Sequence, residues 1–226
     1  MNDLKTLNKQ LMSDLEAIKP DKETLKIQKE QERLKIEAEN LLKKQEHIKH
    51  LKSISNIPAR YKEAELKPIN AEQELFIKKL SKNISSKKLS DVSDMLVYGS
   101  VGTGKTYLCC ALANKLNENE IFTMFVTEHD LLESYFQKNY TKFNNFKKAK
   151  ILIIDELAKR DLIEWQKIQI EELLSYRYNE MLPTIIITNR SENELKQFLG
   201  DRLTDRLRDN KVIRFTFKDK SLRGVR

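Results

Sequence analysis

An α/β fold, a parallel sheet with helices on its faces, is what this sequence predicts, and three observations predict it. From residue 94 onward, short apolar runs alternate with longer stretches of helical character. That is the pattern of strands buried on both faces and joined by crossover helices. Three of the five glycines crowd between the first apolar run and the helix after it. A hydrophobic content of 39% over 226 residues is enough for one core-bearing domain plus an appendage.

The first segment carries Leu4, Leu7, Leu11, Leu15 and Ile18 at three- and four-residue steps, one apolar stripe on a short helix that Pro20 ends. Residues 22–51 are charged, with Ile27, Leu34, Leu41 and Ile48 at seven-residue steps and a mostly polar second seam. Either these helices fold on each other as a hairpin, or the stripe is offered to another protein, because short helices with few large side chains gain from a partner. His47 and His50 read as solvated. The composition changes at residues 53–58, so the boundary is placed near 55: a helical N-terminal domain over 1–55 and an α/β domain over 56–226. A helix over 70–80 follows, capped by Asn70 with Gln73 three residues on, and residues 81–93 read as a surface loop.

Within the α/β part, strands are predicted over 94–98, 121–127, 150–155, 184–188 and 212–217. Helices are predicted over 107–116, 128–138, 163–181 and 191–208.

The glycine-rich stretch Gly99-Ser100-Val101-Gly102-Thr103-Gly104-Lys105-Thr106 matches G-x-x-x-x-G-K-[ST] at every fixed position, between a strand and a helix. Glycine lets the backbone turn its N–H groups inward around anionic oxygens, which makes a cradle for the β-phosphate of a nucleotide. The Lys105 ammonium bridges β- and γ-phosphate, and the Thr106 hydroxyl serves Mg²⁺. The expected nucleotide-binding set is this loop, Tyr107 beside it, and Asp155. Asp155 and Glu156 end the apolar run Ile151-Leu152-Ile153-Ile154. Asp155 belongs with Thr106 in the Mg²⁺ shell, and Glu156 orients or deprotonates a water in line with the γ-phosphate. Asn189, at the end of Ile185-Ile186-Ile187-Thr188, is placed to touch the γ-phosphate or that water.

The net charge of +8 is uneven: residues 201–226 carry nine Lys/Arg against four Asp/Glu, whereas 91–200 carry thirteen against sixteen. Such a balance fits an anionic partner, and lysine-rich solvated faces produce it too. No apolar run reaches the length of a membrane span and no signal-peptide pattern opens the chain, so a cytoplasmic protein without membrane contact is expected. Cys109 and Cys110, the only cysteines, are adjacent on one helix and assemble neither a disulfide nor a zinc site.

The loop, the Asp155-Glu156 pair and the strand end Thr188-Asn189-Arg190 resemble the AAA+ family. The stretch Phe198-Leu199-Gly200-Asp201-Arg202-Leu203-Thr204-Asp205-Arg206-Leu207-Arg208 closely resembles bacterial replicative helicase loaders of the DnaC type. The resemblance covers residues 56–226. It implies an ATPase that binds the hexameric replicative DNA helicase through its N-terminal domain, self-associates through its ATPase domains, and helps place the helicase on single-stranded DNA. It also implies that Arg206 is an arginine finger acting in trans, with Arg202 second in line, and that Arg223 is the second sensor. With nine residues after the last predicted strand, no C-terminal helical lid domain is expected, and without cysteines residues 1–55 do not form a zinc-bearing loader domain. An IstB-like transposition helper is the alternative, although its arginine segment usually carries extra residues after Gly-Asp, where here Gly200-Asp201 runs straight into Arg202. A small-molecule phosphotransferase is a third reading, which Glu156 and a tail arginine fit less well. Phe136, Tyr140, Phe143 and Phe146 interleave with Lys138, Lys142, Lys147, Lys148 and Lys150. Both readings of these rings stay open, stacking on unpaired bases or packing on the sheet.

Overall fold

The computed structural model describes residues 6, 9, 10, 22–84, 92–206, 212–218 and 221. The chain divides into two compact units, residues 1–47 and 48–226. In the first, α1 (Lys22–Ile54) is one continuous helix of 33 residues that runs on into the second unit. From residue 23 to 47 every side chain is exposed, Ile27, Leu34 and Leu41 included. The stripe from Leu4 to Ile18 lies outside the described residues. The end of α1 belongs to the second unit: Leu51 is buried, Lys52 Nζ pairs with Glu118 at 2.9 Å, and Ser55 accepts from the Phe125 N–H.

The second unit carries a short 3₁₀ turn (Ala59–Tyr61) and then, in order, α2 (Ala71–Ile84), β1 (Met95–Gly99), α3 (Lys105–Glu118), β2 (Thr123–Thr127), α4 (Glu128–Phe136), α5 (Tyr140–Lys148), β3 (Ile151–Asp155), α6 (Glu164–Asn179), β4 (Thr184–Thr188), α7 (Glu192–Arg206) and β5 (Ile213–Phe217). The five strands form a parallel sheet in the order β2-β3-β4-β1-β5. Alternate residues of each strand point to opposite layers. Met95, Val97, Ile151, Ile153, Ile185, Ile187 and Phe215 meet α2 and α3 through Phe76, Leu80, Leu108 and Leu112. Leu96, Tyr98, Leu152, Ile154 and Ile186 meet α4 to α7 through Leu131, Phe146, Ile170, Leu173 and Leu195. Each such aliphatic side chain, taken fully out of water, contributes roughly 1.5–3 kcal/mol.

At α2 the Gln73 N–H donates to Asn70 Oδ1 (2.8 Å), while the Gln73 side chain reaches back to the Ile69 N–H (3.0 Å). Both ends of the expected cap are made, the second one residue earlier than a capping box places it. The helix runs on to Ile84, so residues 81–84 are not loop. Ser81 and Asn83 cost only a few tenths of a kcal/mol each in a helix already anchored by buried Phe76 and Leu80. α5 replaces what the sequence left between helix 128–138 and strand 150–155. Asn139 caps it by accepting from the Lys142 N–H (3.1 Å), and Phe146 fills the core.

Arg177, fully buried on α6, braces this region. It donates to the carbonyls of Phe146 (3.1 Å), Lys147 (3.1 Å), Ala149 (2.8 Å) and Pro183 (2.7 Å) and to Thr184 Oγ1 (2.9 Å). Its charge meets the carbonyl end of α5, where the helix dipole favours a cation. Burial lowers its pKa to about 10, with Asp94 working against that.

Candidate nucleotide-binding site

Parallel pairing brings the C-terminal ends of β1, β3 and β4 to one rim, and the candidate residues collect there. At Gly99 a Cβ would stand 2.8 Å from both Cβ and O of Phe217 on the paired strand β5, so only glycine fits. Gly102 (φ 88°) and Gly104 (φ 91°) take the left-handed turns that curl the loop onto α3, with Gly104 at the helix cap. The Lys105 ammonium lies inside this curl and donates to the carbonyls of Gly99 and Ser100, both at 2.7 Å. Burial lowers its pKa, and Asp155 opposes that shift.

Thr106 Oγ1 donates to Asp155 Oδ2 at 2.8 Å, which joins the loop to the end of β3, and Asp155 Oδ1 accepts from the Glu156 N–H at 2.8 Å. Burial pushes the Asp155 carboxyl up, while the Thr106 and Glu156 hydrogen bonds hold it down. Glu156 turns out of the strand with φ 57°, and both its carboxylate oxygens accept from Lys159 Nζ at 2.9 Å. Asn189 stands exposed at the end of β4. Thr188, buried beside it, donates to the Leu157 carbonyl (2.7 Å) and accepts from the Arg190 N–H (3.1 Å).

These groups border one cleft of about 410 Å³, lined by Val101, Gly102, Gly104, Lys105, Thr106, Tyr107, Asp155, Glu156 and Asn189. The cleft is lined by a cation and a helix N-terminus together with a hydroxyl–carboxylate pair. Such a set fits a nucleoside triphosphate with a hard divalent cation. Tyr61 and Lys159 line it as well and were not anticipated. The Tyr61 and Tyr107 rings meet edge to face at 6.2 Å, and buried Asn114 fixes the Tyr61 segment by donating to the carbonyls of Tyr61 (3.0 Å) and Ala64 (3.1 Å). Tyr61 lies far from the loop in sequence, and no spacing marks it.

Arg202 and Arg206 lie on α7, whose chain kinks at Gly200 (φ 74°, ψ 170°), and their side chains are outside the described residues. Arg223 is outside them altogether. The aromatic stretch divides. Phe146 is fully buried and Phe143 packs on the core, so these two rings are not available to bases. Phe136 (75% exposed) and Tyr140 (56% exposed) remain on the surface, and Trp165 of α6 lies beside Tyr135 and Phe136 with ring centroids 6.3 and 6.4 Å apart. Among the described residues no helix is long and apolar enough to cross a membrane.

Comparison with known proteins agrees with this geometry. The replicative helicase loader DnaC of Escherichia coli is 26% identical over 125 residues, 52% of this chain and 51% of DnaC. The replicative helicase loader DnaI of Bacillus subtilis is 30% identical over 108 residues, 45% of this chain and 35% of DnaI. The chain thus spans about half the length of the curated relatives it matches, or less. The crystal structure of the DnaC helicase loader superposes with a TM-score of 0.62 at 25% identity, covering 70% of this chain and 99% of that one. The sheet and its flanking helices are the AAA+ phosphate-loop fold. The family model for IstB-like ATP-binding proteins matches residues 10–217, nearly the whole chain, and the protein belongs to that family.

Proposed function

We propose that this protein is an ATP-hydrolysing loader that binds the hexameric replicative DNA helicase and helps place it on single-stranded DNA. The observation that carries the ATPase part is the convergence of Lys105, Thr106, Asp155, Glu156 and Asn189 on one cleft. The helicase part is supported by what the relatives are named and by Ile27, Leu34 and Leu41 on α1, exposed among the described residues, which fit a docking helix.

Bound ATP with Mg²⁺ supplies the phosphoryl group that is transferred to water. Lys105 exchanges its two carbonyl partners for phosphate oxygens, so its charge is already at the place it is needed. Thr106 and Asp155, already in contact, are the protein oxygens for the cation. Glu156 takes the proton of the attacking water once its carboxylate leaves Lys159, and Asn189 orients that water. Arg206 completes a neighbouring subunit's site, which ties hydrolysis to self-association, and Arg223 senses the nucleotide from its own chain. Phe136 and Tyr140, with the lysines around them, stack on and follow the single strand.

The test is co-purification with the host replicative helicase, using the full chain and a Leu34→Glu/Leu41→Glu variant whose changes lie on the exposed face of α1. The intact protein should capture the helicase, and the variant should lose capture while retaining ATP turnover. Failure of the intact protein to bind any replicative helicase would remove the loader reading. The transposition-helper reading is favoured by the family model itself, and ATP-dependent stimulation of a transposase would establish it. Phosphate transfer to a small acceptor instead of water would point to a phosphotransferase.

A further inference from the structure

Glu128 is a buried carboxylate for which the chemistry above has no use. It opens α4 behind the Thr127 cap and is 2% exposed. Its Oε2 accepts a hydrogen bond from the backbone N–H of Ala158 at 2.6 Å. Burial pushes its pKa up, and the Ala158 N–H and the more distant Arg160 and Arg190 work against that shift. A carboxylate held out of water is costly, so what it grips matters.

It grips the turn that carries Glu156. Glu156 (φ 57°) and Ala158 (φ 61°) both take the left-handed conformation without being glycine. Such residues persist only where their surroundings hold them. On one side β4 and the residues after it do so: the Leu157 N–H donates to the Ile187 carbonyl (3.0 Å), Thr188 to the Leu157 carbonyl (2.7 Å), and Arg190 Nε to the Ala158 carbonyl (2.7 Å). β3 lies between β4 and β2, and the matching grip from the β2 side is Glu128. We infer that Glu128 is a positioning residue for Glu156, holding the Ala158 N–H so that residues 156–158 keep the turn that presents the Glu156 carboxylate to the cleft. Without Glu128 the Ala158 N–H loses its acceptor and the 157–158 peptide is held only from its carbonyl side, by Thr188, so the turn shifts and the carboxylate drifts from its place. This rests on the proposed reading of Glu156 as the group that activates water.

Three variants in the full chain test it: Glu128→Ala, Glu128→Asp, which stops one methylene short, and Glu128→Gln, whose carbonyl oxygen still accepts from Ala158. Glu128→Ala and Glu128→Asp should lower kcat about 10- to 100-fold with ATP affinity within about twofold of wild type, the loss expected when a reacting group is displaced by about an ångström. Glu128→Gln should restore most of the turnover. Independently of turnover, hydrogen exchange in the peptide containing Ala158 should speed up in Glu128→Ala and stay slow in Glu128→Gln. Unchanged exchange at Ala158 in Glu128→Ala would overturn the inference, and so would wild-type kcat in that variant while Glu156→Gln is inactive. An equal loss of ATP affinity and kcat in Glu128→Gln would overturn it too, since that is a general packing role. Normal turnover in Glu156→Gln, by contrast, would remove the reading of Glu156 and leave the exchange result to decide the grip.

Discussion

β3 and the exposed part of α1 use the same residue types to opposite ends. In Ile151-Leu152-Ile153-Ile154 every side chain is out of water and every neighbour is internal. In α1, Ile27, Leu34 and Leu41 repeat just as regularly, yet each is more than half exposed. The same aliphatic side chains, in a buried strand and on a wet helix, differ in what covers them. The first is held by the fold, whereas the exposed stripe of the second has no such cover among the described residues. The rim at the end of β3 belongs to the first kind: Asp155, Leu157 and Ala158 are all held by hydrogen bonds from other elements.

The largest expected effect is on chemistry at that rim. Glu156→Gln should bind ATP and hydrolyse it on the order of 10³-fold more slowly, whereas Lys105→Ala should lose nucleotide binding, because Lys105 acts on bound phosphate and Glu156 on the water. Normal turnover in Glu156→Gln would show that a well-held rim need not be a catalytic one.

Next comes Arg206→Ala, expected to bind ATP and to be slowed about 10³-fold, at the low end for an arginine supplied in trans. Mixing it with Lys105→Ala protein should restore part of the activity, since some interfaces then pair an intact arginine with an intact loop. No restoration despite shown co-assembly would place Arg206 in cis or in a structural role.

The comparison itself is sharpened by truncating one residue of each kind. Ile153→Ala should destabilise the fold by about 2–4 kcal/mol in chemical denaturation, while Leu34→Ala should stay within about 0.5 kcal/mol and instead weaken helicase capture. Equal destabilisation would mean that something internal covers α1.

The smallest effect concerns Asp155. Its folded-state pKa is raised, so between the ordinary carboxylate pKa and that raised value the native state keeps a proton the unfolded chain has released. Stability therefore falls as pH rises through that window, and the penalty is fully present above it. Asp155→Asn should flatten this slope and raise Tm near neutral pH, a small change in stability apart from its effect on the site. A slope unchanged by the substitution would assign it to other groups, Glu128 first among them.

Most of the sheet was legible because its signals are local. Apolar runs bounded by Gly99, Asp155 and Asn189 mark strands whose ends carry chemistry, and the phosphate loop is contiguous, so its residues are neighbours in any fold that uses it. The aromatic stretch shows the limit. Phe136, Tyr140, Phe143 and Phe146 look alike in sequence, but two face the core and two are exposed, because Phe136 is the last residue of α4 while α5 turns Phe143 and Phe146, and not Tyr140, to the core.

By itself, then, the sequence determined the α/β class, the strand that feeds each part of the cleft, and the cradle for a triphosphate, all carried by periodicity or by adjacent residues. Tertiary structure alone decided that Tyr61 lines the cleft, that Arg177 ties α5 to the start of β4, and that Glu128 grips the turn bearing Glu156. The physical reason is distance along the chain. Glu128 and Ala158 stand 30 residues apart, and Arg177 and Ala149 stand 28 apart. Each partner alone is a polar residue or a backbone group with no distinguishing neighbours. Only the packing of β2, β3 and β4 side by side makes their hydrogen bonds obligatory.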